Sequence, residues 1–320
     1  MSSSAPGRPS PFTGTSVVEP RAELQGLVAD ELRQPVAPAV AALADAVRAR
    51  HRQGALAVLF YGSCLRRPET LLGDSLLDFY LLVEDYAAAY GSGMLAIANK
   101  LLPPNVFYLE LPHGGATLRC KYAVLTLHDF MAGTARDALN VSLWARFSQQ
   151  ARLVWSRDGE TGERIAAACA EAVVTMLGNV APLLPGDADA ETLWRRAFEQ
   201  TYAAELRSEG AGRAAELAAL DAERLRRVTP PALAELRQAP AISAAQCVAL
   251  WRRRRRVGKM LNLARLVKAA FTFQGGLDYV LWKVKRHSGV ELPVTAWQRR
   301  HPVLAAPLLA WRLYRRGAFR

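Results

Sequence analysis

Two apolar runs decide the fold: ALAVLFYGSC over Ala55–Cys64 and LLDFYLLVED over Leu76–Asp85. Each is a short block of branched, aromatic and aliphatic residues with no helical period, which predicts a buried β-strand. The first ends in Tyr61-Gly62-Ser63, a turn; the second carries one carboxylate, Asp78, inside an otherwise apolar stretch. An acid in such a place is costly unless it is paired or metal-bound. NVFYLEL (Asn105–Leu111) and TLRCKYAVLTL (Thr117–Leu127) predict a third and a fourth strand, with a helix over Tyr86–Leu102 between the second and third. His113-Gly114-Gly115 reads as a hairpin turn.

Outward from this centre the texture is helical. Ala22–Arg50 has helical periodicity broken at Pro35 and Pro38. After Trp155 the strand signals fade, and ERIAAACAEAVVTMLGNVAPLL, ETLWRRAFEQTYAAELRSE and GRAAELAALDAERLRRV predict helices joined by Gly/Pro/Asp turns. TPPALAELRQAP reads as a separator before a basic C-terminal segment. The expected organisation is a tail over 1–20, an α+β domain of mixed sheet and helices over 21–185, a helical domain over 186–250 and a basic amphipathic segment over 251–320.

The net charge of +12 on 320 residues is unevenly spread. From Trp251 onward there are 17 Lys and Arg against Asp278 and Glu291, whereas the preceding 250 residues hold 24 basic and 27 acidic side chains. Four of the seven tryptophans (Trp251, Trp282, Trp297 and Trp311) lie in that last part. Cations interleaved with amphipathic aromatics suit the headgroup layer of an anionic membrane; they also suit nucleic acid, the lesser expectation here. Part of the segment also reads as an ordinary helix with a core-facing Trp/Leu stripe. Cys64, Cys120, Cys169 and Cys247 are far apart, which fits a reducing compartment and no zinc-type spacing. The first residues lack the apolar core of a signal peptide, and no run reads as the ~20 apolar residues of a membrane span. A cytoplasmic protein, peripheral on the membrane, is the expectation.

The chemistry suggested by the centre is nucleotidyl transfer. Glycine lets backbone N–H groups approach a triphosphate closely and serine adds a hydroxyl. A carboxylate on the next strand can hold Mg²⁺ against the phosphates. A plain strand–turn–strand explains the same residues without any ligand. The five histidines show no spacing for metal binding or nucleophile activation.

The ordered series YGS, LLDFYLLVED, a helix, LRCKYAVLTLHDF and LWARF resembles the mitochondrial-type phosphatidate cytidylyltransferases, the translocator-maintenance family of CDP-diacylglycerol synthases. These are similar to the wider nucleotidyltransferase superfamily, which includes DNA polymerase beta and usually shows Asp-x-Asp. Here the strand reads Asp78-Phe79-Tyr80, and the resembled family likewise lacks the second aspartate. The family's Tyr-x-x-Asp-x-Arg segment has its counterpart in Tyr202–Arg207, with Glu205 in place of aspartate. The likeness spans about Ala55–Arg224, and more loosely RLVKAAFTFQGG. It implies a nucleotidyltransferase-like fold and the reaction of CTP with phosphatidic acid to give CDP-diacylglycerol and pyrophosphate. Tyr61, Gly62, Ser63 and Arg207 would bind the nucleotide, Asp78 and Glu205 would hold Mg²⁺, and Lys121 would contact a phosphate. Glu84, Asp85 and Arg152 are lesser candidates. Another acceptor, small molecule or RNA, and a non-catalytic basic membrane- or nucleic-acid-binding relative are the alternatives.

Overall fold

A computed structural model describes residues 19–51, 54–66, 75–91, 93–205, 212–273 and 275–315. Two N-terminal helices, α1 (Pro20–Leu32) and α2 (Pro38–Ala49), each begin on a proline, where the missing N–H costs nothing. The next elements are β1 (Ala55–Tyr61), β2 (Leu76–Val83), α3 (Tyr86–Tyr90), α4 (Met94–Leu101), β3 (Asn105–His113) and β4 (Ala116–Thr126). Then come α5 (Leu127–Thr134), α6 (Ser142–Phe147) and β5 (Ala151–Ser156). Helices follow: α7 (Gly159–Gly178), α8 (Ala190–Ala204), α9 (Gly212–Leu220), α10 (Ala222–Arg237), α11 (Ala244–Thr272), α12 (Gly276–Ser288), α13 (Ala296–Arg300) and α14 (Pro302–Arg315). The fold is mixed α/β, a five-stranded sheet with a mainly helical remainder.

The sheet has the order β3-β4-β2-β1-β5. Only β2 and β4 run parallel; the other neighbours are antiparallel. The four strands expected from sequence are present, within a few residues of the expected ends. The β3–β4 hairpin turns on Gly114 and Gly115, at φ 56° and 80°, the left-handed pair that a two-residue turn needs. The sequence reading missed β5. Its ARLVWS is short and only partly buried along most of its length, so it lacks the solid apolar block that marks β1 and β2.

Alternation along the strands divides the apolar residues between two cores. One face, with Val58, Phe60, Phe79, Leu81 and Tyr122, is sealed by α2 and α3. The other, with Leu59, Tyr80, Leu82, Ala123 and Leu125, packs on α1, α5, α6 and α7. That second core runs on without a break from Leu24 to Trp251, so residues on both sides of position 185 share it. Pro230 and Pro231 lie inside α10. There the Thr229 hydroxyl donates to the Leu225 carbonyl at 2.6 Å and accepts from Trp194 Nε1 at 2.9 Å, which anchors the helix where proline removes backbone donors.

Two further expectations change. The segment Gly159–Leu183, which contains α7, is long and apolar enough by composition to cross a membrane, and 72% of its apolar window is buried in the protein. Its alanine-rich texture disguised its hydropathy, and its burial is that of a central core helix. Within the Arg run, Trp251 and Arg254 are core residues. The Arg254 guanidinium lies 5.3 Å from the Trp144 ring and 5.4 Å from the Trp251 ring, and donates to Asn179 Oδ1. Burial lowers its pKa to about 10. All four cysteines are buried and none is in a disulfide, and burial pushes the Cys120 and Cys169 thiols up to about 12, where they are inert.

Candidate active site

The strand register puts the predicted residues in one row. Tyr61 of β1 pairs with Asp78 of β2, and Asp78 pairs with Lys121 of β4. Directly paired residues project from the same face of a sheet, here the face that carries α5–α7. Asp78 stands two residues before Tyr80 on that face, at the β2 end where the helices stop covering it. Its side chain is 27% exposed and that of Lys121 36%, so a ligand can reach both.

Lys121 Nζ lies 3.1 Å from Asp78 Oδ1. Oδ1 is a buried oxygen that accepts no hydrogen bond among the described residues. The pair is therefore coulombic, and one carboxylate oxygen is left without the donor it wants. Gly62 sits over this carboxylate at φ +91°, and a Cβ placed there would stand 3.5 Å from Asp78 Oδ2. The positive φ, rather than the space, is what demands glycine. Ser63 opens a short 3-10 turn, Ser63–Arg66, and is exposed. Below the turn, the rings of Tyr61, Tyr80 and Phe147 stack edge and tilt at 5.2–5.7 Å, giving the row an aromatic floor.

Two cavities meet at this row. The first, of about 340 Å³, is lined by Tyr61, Gly62, Ser63, Asp78, Lys121 and Arg146 together with Gln149, Gln150, Tyr202 and Arg213. The second, of about 410 Å³, shares Tyr61, Lys121 and Arg146 but is otherwise different in character. Its wall mixes apolar side chains (Tyr80, Pro103, Pro104, Val106, Leu125) with polar groups from Asp129, Asn140, Ser142, Asn262 and Arg265.

Arg146 lines both cavities, and no spacing argument selects it, although it lies in the LWARF stretch. It sits on α6, where its guanidinium donates to the Ser142 carbonyl and lies 3.3 Å from Glu205 Oε1. Burial opposes its charge, yet the nearby Glu205, Tyr80, Tyr61 and Asp78 outweigh that and raise its pKa, so it is a permanent cation. Glu205, at the end of α8, has a side chain only 8% exposed and also accepts from Ser142 Oγ at 2.9 Å. It meets the row through Arg146 and does not line either cavity. Its position depends on a close helix crossing: a Cβ at Gly258 of α11 would collide with the Ala204 carbonyl oxygen.

Arg207 lies outside the described residues. Glu84 and Asp85 are at the far end of β2, where Glu84 pairs with Arg157 at 3.1 Å and Asp85 caps α3 by accepting from the Ala88 N–H at 2.8 Å. Arg152 lines a separate depression with Glu31 and Arg224. Among the described residues no three His, Cys, Asp or Glu side chains form a metal cage. Magnesium bound with a nucleotide does not need one, since one or two carboxylates plus phosphate oxygens and water complete its six oxygens. The Asp78 carboxylate, with Oδ2 under the glycine turn and Oδ1 unsatisfied, fits that donor set. Compared with protein-family models and with curated proteins, the chain matches none.

Proposed function

We propose that this chain is a nucleotidyltransferase that couples CTP to phosphatidic acid, giving CDP-diacylglycerol and pyrophosphate, and that it works peripherally on a membrane. The fold reading that goes with this is nucleotidyltransferase-like. The observation that carries it is the junction of a glycine–serine turn, an Asp78 carboxylate with an unsatisfied oxygen, and the cations Lys121 and Arg146 in one cleft. The motif series quoted above supplies the choice of nucleotide and acceptor.

In this reading the 340 Å³ cavity takes the nucleotide. Backbone N–H groups at Gly62 and Ser63 and the Ser63 hydroxyl hold phosphate oxygens, because only glycine at φ +91° lets the chain curl over the carboxylate. Asp78 is the protein ligand for Mg²⁺, which when bound neutralises the phosphates and the departing pyrophosphate. Glu205 fixes Arg146 instead of binding metal directly, and Arg146 and Lys121 face both cavities, one on each side of the bond to be made. The 410 Å³ cavity takes the acceptor, its apolar side chains against the glycerolipid and its cations against the phosphate.

A phosphate oxygen of the lipid attacks the α-phosphorus of CTP. The bond from that phosphorus to the bridging oxygen breaks, and both of its electrons leave with pyrophosphate. A phosphomonoester is already anionic at neutral pH, so the step needs no strong general base. Positioning and charge stabilisation are what the residues must provide. Purified protein, Mg²⁺, labelled CTP and phosphatidate vesicles should give CDP-diacylglycerol. Parallel assays with the other nucleotides and with soluble or RNA acceptors would expose a different acceptor. No product with any pair contradicts the enzymatic reading.

A further inference from the structure

The second half of helix α11 carries charge inward and apolar side chains outward. On the protein side, beyond Arg254, Arg265 Nε donates to the Pro103 carbonyl at 2.9 Å and Lys268 Nζ donates to the Pro104 carbonyl at 2.7 Å and to that of Leu102. The opposite stripe, at spacings of three and four residues, is exposed. It begins basic, with Arg252, Arg256 and Lys259, and continues apolar with Met260, Leu263, Leu266 and Val267, which are 58–72% exposed. A helix packed in an aqueous protein shows the reverse arrangement.

The loop that Arg265 and Lys268 clamp is the exit of α4, and α4 does the same thing. Met94, Ile97 and Leu101 share one face and are 61–79% exposed, with Lys100 beside them. The seven apolar side chains just named thus face solvent on the two helices that flank Leu102–Pro104. Pro103, Pro104, Asn262 and Arg265, from the same loop and helix, line the 410 Å³ cavity. Apolar groups gathered in this way mark a surface that is covered in use.

We propose that the outward faces of α4 and α11 together dock on an anionic bilayer, so that a lipid phosphomonoester enters the larger cavity along the Leu102–Pro104 loop. The docking rests on exposure and charge alone; the entry route rests on the acceptor assignment above. Charge complementarity selects the occupant. From Ala244 to Leu277 the chain contains no acidic residue. A second copy would set this basic stripe against its own kind, and nucleic acid would leave the leucines in water. A bilayer with anionic headgroups satisfies both halves of the stripe.

The test is sedimentation of the full chain with vesicles of phosphatidylcholine alone and of an equal mixture with phosphatidylglycerol. Wild type should bind the anionic vesicles preferentially. Ile97→Asp, and Leu263→Asp combined with Leu266→Asp, should each lower the partition coefficient about tenfold or more. Arg256→Glu with Lys259→Glu, which touches no apolar group, should remove about tenfold of the anionic preference. Leu304→Asp with Leu308→Asp, on the exposed side of α14, should leave binding near wild type. Unchanged melting curves would show that these surface variants fold. Absence of vesicle binding by wild type, wild-type binding by the α4 and α11 variants, or their removal of a concentration-dependent dimer instead, would overturn the proposal. Vesicle binding needs no CTP and no turnover. Inactive protein that still docks through these helices therefore counts against the enzymatic reading alone, and turnover on detergent-dispersed phosphatidate without docking counts against the surface alone.

Discussion

Two adjacent rows across the same sheet have opposite fates. Phe60, Phe79, Tyr122 and Phe107 form one row, each at most 3% exposed, closed over by α2 and α3. One residue along, Tyr61, Asp78 and Lys121 form the other, facing the opposite way into the cleft. Because side chains alternate at every residue, the strands that lock the first row also fix the second. The sealed row supplies rigidity, and the open row uses it to hold an acid and a base where neither can be fully solvated. A slip of one residue in β2 would exchange the two and bury Asp78.

The sealed row is the more sensitive of the two to loss of volume. Phe79→Ala removes a fully buried ring that packs on Phe60 at 5.3 Å and should cost about 3–5 kcal/mol of stability, read by chemical unfolding. The open row should behave in the contrary manner. Lys121→Met keeps the aliphatic stem but removes the charge beside Asp78. It should lower kcat/KM about tenfold to a hundredfold while changing the melting temperature little, because a half-exposed ion pair contributes little to folding. If Lys121→Met instead unfolds the protein with Phe79→Ala, the contrast between the rows is lost.

The smallest expected effect is a pH dependence on the sealed side. His51 is buried, with Nδ1 2.9 Å from the Ala89 carbonyl and Nε2 3.3 Å from the Tyr122 hydroxyl. A carbonyl can only accept, so Nδ1 carries the proton and Nε2 accepts from tyrosine. Burial, against the help of the Ala89 carbonyl and with the nearby Arg50 charge adding to it, lowers the imidazole pKa. As pH falls through the ordinary histidine value of about 6.5, the unfolded chain takes up the proton first. The stability that His51 supports is therefore complete above that pH and declines below it. Melting temperature measured from neutral to mildly acidic pH should fall less steeply in His51→Gln than in wild type.

Much of this was legible in the sequence, for identifiable reasons. β1 and β2 announce themselves as solid apolar blocks, and the isolated Asp78 is visible because it breaks one. The Gly114-Gly115 hairpin is visible because two left-handed residues in succession leave few alternatives. Arg146 was not singled out, since one arginine in a short helix looks like any surface cation until Glu205, 59 residues away, is seen to hold it. The direction of α11 was hidden too. Leucine and arginine mixed at helical spacing announce two faces without saying which one points at the protein. Only the carbonyls of Leu102, Pro103 and Pro104 reveal that Arg265 and Lys268 turn inward.

The central claim is that the open row grips a magnesium–triphosphate complex, and calorimetric titration of CTP in the presence of Mg²⁺ tests it without any acceptor or membrane. Wild type should bind, with affinity lost on chelation of the metal, and Asp78→Asn should weaken binding about a hundredfold or more while the protein remains folded. Equal affinity in Asp78→Asn and wild type, or no binding by wild type, would contradict the account.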